Sequence, residues 1–198
     1  MIDETLPWLT FAAAVDLSNT IVVTPRGEVD LLTTDEQLEV WIAVERGRVA
    51  CVDAAAGHLA DVRALRADLR ALLYAYAEGR PTPGPARLRV NALCAAAPAY
   101  PVLLPGGRVI VERASDDPYS VFAAEVARSA IELFETDDTR LSVCRAPSCG
   151  LLYPPDHSRQ RWCCRACGNR ARVARHAARR RSGGRAPESP SAPARRGH

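Results

Sequence analysis

The chain has 198 residues, 47% of them hydrophobic, and a formal net charge of +3. Those values fit one medium domain plus an appendage, and no apolar run nears the roughly 20 residues that span a membrane. The amino end shows no basic region followed by an apolar core, so the expectation is a reducing, cytoplasmic setting.

The first expected helix covers Trp8 to Asn19, with Leu9, Ala12, Ala13 and Leu17 near one face. Ile21-Val22-Val23 reads as extended, and Thr24-Pro-Arg-Gly27 as a turn. Thr34-Asp-Glu-Gln37 fits a capping box, in which a hydroxyl caps the first turn and the Gln side chain reaches back. Leu38, Trp41, Ile42 and Glu45 follow at helical spacing until Gly47 stops them. A long helix is expected from Ala55 to Glu78. There Leu59, Val62, Leu65, Leu69, Leu72, Leu73 and Tyr76 recur at three and four residues and define one buried stripe. Gly79 ends that helix, and Pro81, Pro83 and Pro85 form a stiff connector. A shorter helix spans Ala86 to Ala97. Tyr100 to Leu104 and Arg108 to Glu112 flank Pro105-Gly-Gly107, a hairpin signal. Asp116-Asp-Pro118 opens the next helix, with an acid at the cap and proline in the first turn. Its buried face holds Phe122, Val126, Ala130, Leu133 and Phe134. Asp137-Asp138 ends it, and Leu141-Ser-Val143 leads onward.

Cys144-x4-Cys149 is followed, thirteen residues later, by Cys163-x3-Cys167. Thiol pairs so spaced suit tetrahedral zinc, because one tight turn aims both sulfurs at one ion. Cys164 is an alternate third ligand, and His157, between the pairs, is another potential donor. Cys51 and Cys94 stand alone among apolar residues and read as core. Charge separates along the chain. Residues 140–198 carry fourteen Arg against Asp156 and Glu188, a net +12, and the first 139 residues carry twelve Arg against 21 acids, a net −9. An acidic body with a basic end directly after a metal site points to a polyanion partner.

Cys167-Gly-Asn-Arg170 after Trp162-Cys163, behind a C-x4-C pair, resembles the CGNR zinc finger. The preceding part is similar to the ABATE domain through Leu17-Ser-Asn-Thr20, Leu31-Leu-Thr-Thr-Asp35, Leu65-Arg-Ala-Asp-Leu-Arg70 and the Cys94 to Pro98 segment. The likeness spans roughly residues 8 to 181 and implies a stress-linked transcription regulator whose finger binds DNA through basic residues. Two departures stand out. Cys164 occupies a position where the pattern usually has Ser, and the segment before Trp162 is shortened.

The expected architecture is mainly α with a small β-hairpin (α+β) and a C-terminal treble-clef-like zinc finger. Its parts are a helical unit over 1–139, the finger over 140–181 and a disordered Arg/Pro/Ala tail over 182–198. The finger is read as a knuckle, a Leu151-to-Trp162 hairpin and a helix supplying two ligands from its first turn. At roughly 100° per residue, Cys163 and Cys167 share a face and Cys164 falls to the edge. Measured from Cys163, Ala166, Arg170, Val173, Ala174 and Ala177 lie within roughly 80°, the expected seated side. Arg165, Arg172, Arg175 and Arg179 lie opposite and are the expected phosphate contacts. Arg170, aimed at the metal, and Asn169 are expected to hold the finger on the N-terminal unit and not to touch DNA.

One structural zinc with four sulfurs leaves no open position for water, so no enzyme is expected. Two other readings stay open. One is a zinc-dependent protein-interaction module, with a protein partner or a second copy. The other is a small-ligand sensor built around Asn19, Trp41 and Tyr76. No membrane partner is expected.

Overall fold

The computed structural model describes residues 11–135 and 141–183. Its elements in chain order are α1 (Ala13–Ser18), β1 (Ile21–Thr24), β2 (Gly27–Asp30), α2 (Asp35–Glu45), a 3-10 turn (Val52–Ala55), α3 (Leu59–Ala77) and α4 (Gly84–Ala96). They continue with β3 (Ala99–Leu103), β4 (Val109–Arg113), α5 (Pro118–Glu135), β5 (Ser142–Val143), β6 (Leu152–Tyr153) and α6 (Arg165–Gly183). The chain is α-rich, with three two-stranded antiparallel sheets among the described residues.

The stripe on α3 does what its spacing predicts. Val62, Leu65, Leu69, Leu72 and Leu73 are buried, and α1, α4 and α5 pack around this helix. From α2, Leu38, Trp41 and Ile42 enter the same core, with the Trp41 ring edge-on to Phe122 at 6.2 Å. Each such large apolar side chain contributes on the order of 2 kcal/mol by leaving water. The Asp117 carboxylate accepts the Ser120 N–H at 2.9 Å and caps α5, as the acid-proline start predicts.

Several expectations need adjustment. The long helix begins at Leu59, not Ala55, because Gly57 takes φ +76° and separates it from the 3-10 turn. Thr34 Oγ1 accepts the Gln37 N–H at 3.4 Å, but Gln37 Oε1 reaches back to Thr33, to its N–H at 2.6 Å and its hydroxyl at 2.8 Å. The reciprocal cap is thus displaced by one residue. The first helix runs over Ala13–Ser18, not from Trp8, because Ala12 is extended and precedes its first turn; Trp8 to Thr10 lie outside the described residues. The extended Ile21–Val23 segment has a partner strand, β2, which the sequence reading did not anticipate; Val22 faces Val29 and Thr24 faces Gly27. Gly27–Asp30 holds one large apolar residue and lies largely exposed, so no buried pattern marks it. Asp30 nevertheless fixes the hairpin to α3, taking both ends of the Arg66 guanidinium at 2.6 and 2.7 Å. The β3–β4 hairpin forms around Pro105-Gly-Gly107 as expected, pairing Pro101 with Val111 and Leu103 with Val109. Leu103, Val109 and Val111 stay exposed. Asp137-Asp138 and residues 184–198, most of the expected tail, lie outside the described residues.

Candidate metal centre and basic cleft

The turn between β5 and β6 is the first half of the centre. Cys144 N–H donates to the Leu151 carbonyl at 2.9 Å and Gly150 N–H to the Cys144 carbonyl at 3.1 Å, which closes a tight knuckle. Gly150 is required there twice over. Its φ is +107°, and a Cβ at this position would stand 3.1 Å from the Val23 methyl. The expected Leu151-to-Trp162 hairpin is absent among the described residues. Leu152 pairs instead with Val143, across the knuckle. Pro154 and Pro155 follow β6 directly and have no N–H to extend a ladder. The segment after them is held by Gln160, whose Oε1 accepts from Asp156 N–H at 2.7 Å while Nε2 donates to the Trp162 carbonyl at 3.1 Å.

The second half comes from the start of α6. Cys167 lies in its first turn, whereas Cys163 precedes the helix by two residues. The structure brings Cys144, Cys149, Cys163 and Cys167 together, with all four sulfurs within 4.8 Å of one another. Cys163 Sγ lies 3.8 Å from Cys149 Sγ and 3.5 Å from Cys167 Sγ. A tetrahedron with metal–sulfur bonds of about 2.3 Å has edges of about 3.8 Å, so these separations fit zinc. They are far from the roughly 2.05 Å of a disulfide. Cys164 is exposed and outside the cluster, and His157 is likewise not part of it.

Protons distribute unevenly over these sulfurs. Hydrogen bonding from Cys163 holds the Cys149 thiol down to about 5. The same contact pushes Cys163 well up. Burial pushes Cys167 up to about 12. Filling the site therefore releases protons, because every ligand must be a thiolate. Two donors favour that charge: the Cys163 N–H points at Cys144 Sγ (3.4 Å), and Arg170 Nη2 donates to Cys167 Sγ at 2.9 Å. Four cysteines in this arrangement fit one structural Zn2+.

The seating of α6 differs from the expected one. Ala166 is exposed and Val173 is 69% exposed. Ala171 is buried, and Ala174 is half-buried. The helical phase therefore starts at Cys167, and Cys167, Ala171 and Ala174 (i, i+4, i+7) form the seat. Counting from Cys163 misplaced the face because that residue is not helical. Asn169 does not reach the N-terminal unit: it is exposed, and its Oδ1 accepts from Arg172 Nη1 at 2.9 Å within the same helix.

The residue that does hold the finger is Asn19. Its Nδ2 donates to the Leu152 carbonyl and its Oδ1 accepts the Leu152 N–H, both at 2.9 Å and both buried. Tyr74 adds a hydroxyl bond to the Gly150 carbonyl, and Arg145 pairs with Glu78 at 3.0 Å. Asn19, Trp41 and Tyr76 make three separate contacts. Asn19 is the anchor, Trp41 packs on Phe122, and the Tyr76 ring lies tilted against Phe134 at 4.4 Å.

Arg165, Arg172, Arg175 and Arg179 are all exposed on α6. Two of them, Arg165 and Arg172, line a cleft of about 670 Å3 together with Arg159, Arg161, His157 and Trp162. Gly168 also lines it, and a Cβ there would meet Trp162 Cδ1 at 3.1 Å. Sequence reasoning missed Arg159 and Arg161. The fold supplies what spacing does not, by bending the loop back over the start of α6.

Comparison with protein families agrees with this construction. Residues 12–137 match the ABATE family, described as "Putative stress-induced transcription regulator", and residues 140–180 match the CGNR zinc finger. Neither is an enzyme family. No curated protein is similar enough to add to that assignment. The chain belongs to the ABATE family and carries a CGNR zinc finger on the carboxyl side of its helical unit.

Proposed function

We propose that this protein is a transcription regulator in which a zinc-stabilised finger offers a basic surface to DNA and the helical unit is the input or partner module. The observation that carries this reading is the cleft beside the metal centre, which four arginines from two separate segments line. Guanidinium forks pair bidentately with phosphate oxygens. Arg175 and Arg179 extend the same surface along α6. Phosphate contacts of this kind position a protein on a duplex without reading its sequence. In this reading Arg170 stays with the Cys167 sulfur and does not touch DNA, and the helical unit and finger divide near residue 140.

The test is binding of the zinc-loaded full chain to random-sequence duplex DNA across a salt series. Engagement of four to six phosphates gives a slope of log K against log salt of about −4 to −5. Arg165→Ala and Arg172→Ala should each bring that slope about one closer to zero while leaving the fold intact. A zinc-loaded chain that ignores DNA at low salt yet retains a stoichiometric protein partner would instead support the protein-interaction reading.

A further inference from the structure

Five thiols lie at the finger, and the metal centre takes four of them. The fifth, Cys164, is exposed, while Cys167 is 3% exposed. Gly168 N–H donates to the Cys164 carbonyl at 3.2 Å, so Cys164 is the residue on which the first turn of α6 closes. Cys164-Arg-Ala-Cys167 is therefore a single helical turn with an accessible thiol at its start and a ligand thiol at its end. Residues three apart on such a turn have Cα atoms about 5 Å apart, inside the span of about 4.4–6.8 Å that a disulfide bridges. The neighbouring Cys163 is a poor partner for Cys164, because adjacent Cα atoms are only about 3.8 Å apart.

We propose that Cys164 and Cys167 form a disulfide in response to hydroperoxides, and that this disulfide withdraws one ligand from the zinc site. The proposal rests on the metal reading but not on DNA binding. In the first step the exposed Cys164 sulfur attacks the peroxide O–O bond. The sulfur is oxidised to the sulfenic acid, and the hydroperoxide is reduced to the alcohol, or to water when it is hydrogen peroxide. In the second step the Cys167 thiolate attacks the Cys164 sulfur. The S–S bond forms, the S–OH bond breaks, and hydroxide leaves to take a proton from solvent. The pair has lost two electrons to the peroxide, and the metal centre has lost one of its four sulfurs. Arg170 loses its thiolate partner in the same event, since its Nη2 contact at 2.9 Å is to the Cys167 sulfur. Because the seat of α6 starts at Cys167, the helix bearing the arginines loses its fixed end. A dithiol reductant with zinc restores the original state.

The experiment treats the zinc-loaded full chain with hydrogen peroxide and follows released zinc with a chromogenic chelator. Peptide mass spectrometry then locates the linked cysteines. The expected result is zinc release from the wild-type chain with a Cys164–Cys167 link, reversed by reductant. Cys164→Ser should contain the same zinc at the start and release it at least about tenfold more slowly. Release from Cys164→Ser at the wild-type rate, or a link that omits Cys164, overturns the proposal. A wild-type chain without zinc before oxidation contradicts the metal reading itself, and the initial metal content reports that separately.

Discussion

Asp16 and Glu45 are fully buried, and Arg48 bridges them, donating to Asp16 Oδ2 and Glu45 Oε2 at 2.9 Å each. One guanidinium serves two carboxyls. Burial pushes Asp16 up to about 6. Burial, then the nearby Asp16 charge, pushes Glu45 up to about 7. In the unfolded chain both titrate near about 4. Between about pH 4 and pH 7 these two carboxyls therefore bind more protons in the folded chain, so the stability they contribute falls as pH rises through that window and levels off above it. Glu45→Gln removes a charge that is costly only when ionised. Its midpoint of thermal unfolding should exceed that of wild type at pH 8 and converge with it near pH 4. A gap that does not change with pH would show that folding leaves the Glu45 pKa where it stands in the unfolded chain. None of this was legible in the sequence, where Glu45 reads as one helical residue among several and Asp16 as part of the first helix. The pair exists only because α1 and the end of α2 meet.

Elements followed the sequence where periodicity is long. The stripe on α3 was visible, and so was the buried face of α5 as far as Ala130, because each spans several turns; in the last turn of α5 Leu133 is only half-buried and Phe134 is exposed. Short elements were not. β2, β5 and β6 have two to four residues each, too few to show a period. The finger helix was located correctly but rotated, since the ligand used to set its phase lies before its first turn. The junction between β6 and α1 depends on Asn19, and nothing in the sequence pairs that residue with Leu152. Its amide satisfies both backbone groups of Leu152, a residue 133 positions away and fully buried. Asn19→Ala leaves that N–H and carbonyl without partners in an apolar setting, at a cost of about 2–4 kcal/mol. Urea unfolding should show the loss as a lower midpoint with an unchanged slope. A change below the scatter of repeated measurements would mean that the finger is held chiefly by other contacts.

Across the whole molecule the finger is not a bead on a linker. Leu152 belongs to the main core, Phe11 and Val22 pack against the cysteine cluster, and Tyr74 on α3 bonds to the knuckle. The metal centre and the helical unit are therefore mechanically continuous. The cysteine spacing made the centre legible, because four thiols must converge if they bind one ion. The cleft was only half legible, because Arg159 and Arg161 join Arg165 and Arg172 through a loop whose course no pattern announces. All of this depends on the ion that fixes the start of α6. The most direct measurement is the metal content of the full chain purified under reducing conditions, with helix content recorded before and after a strong chelator. One zinc per chain, and a loss of helix signal on chelation that added zinc restores, is the predicted result. A chain with no stoichiometric zinc, and a helix signal that a chelator leaves untouched, would contradict it.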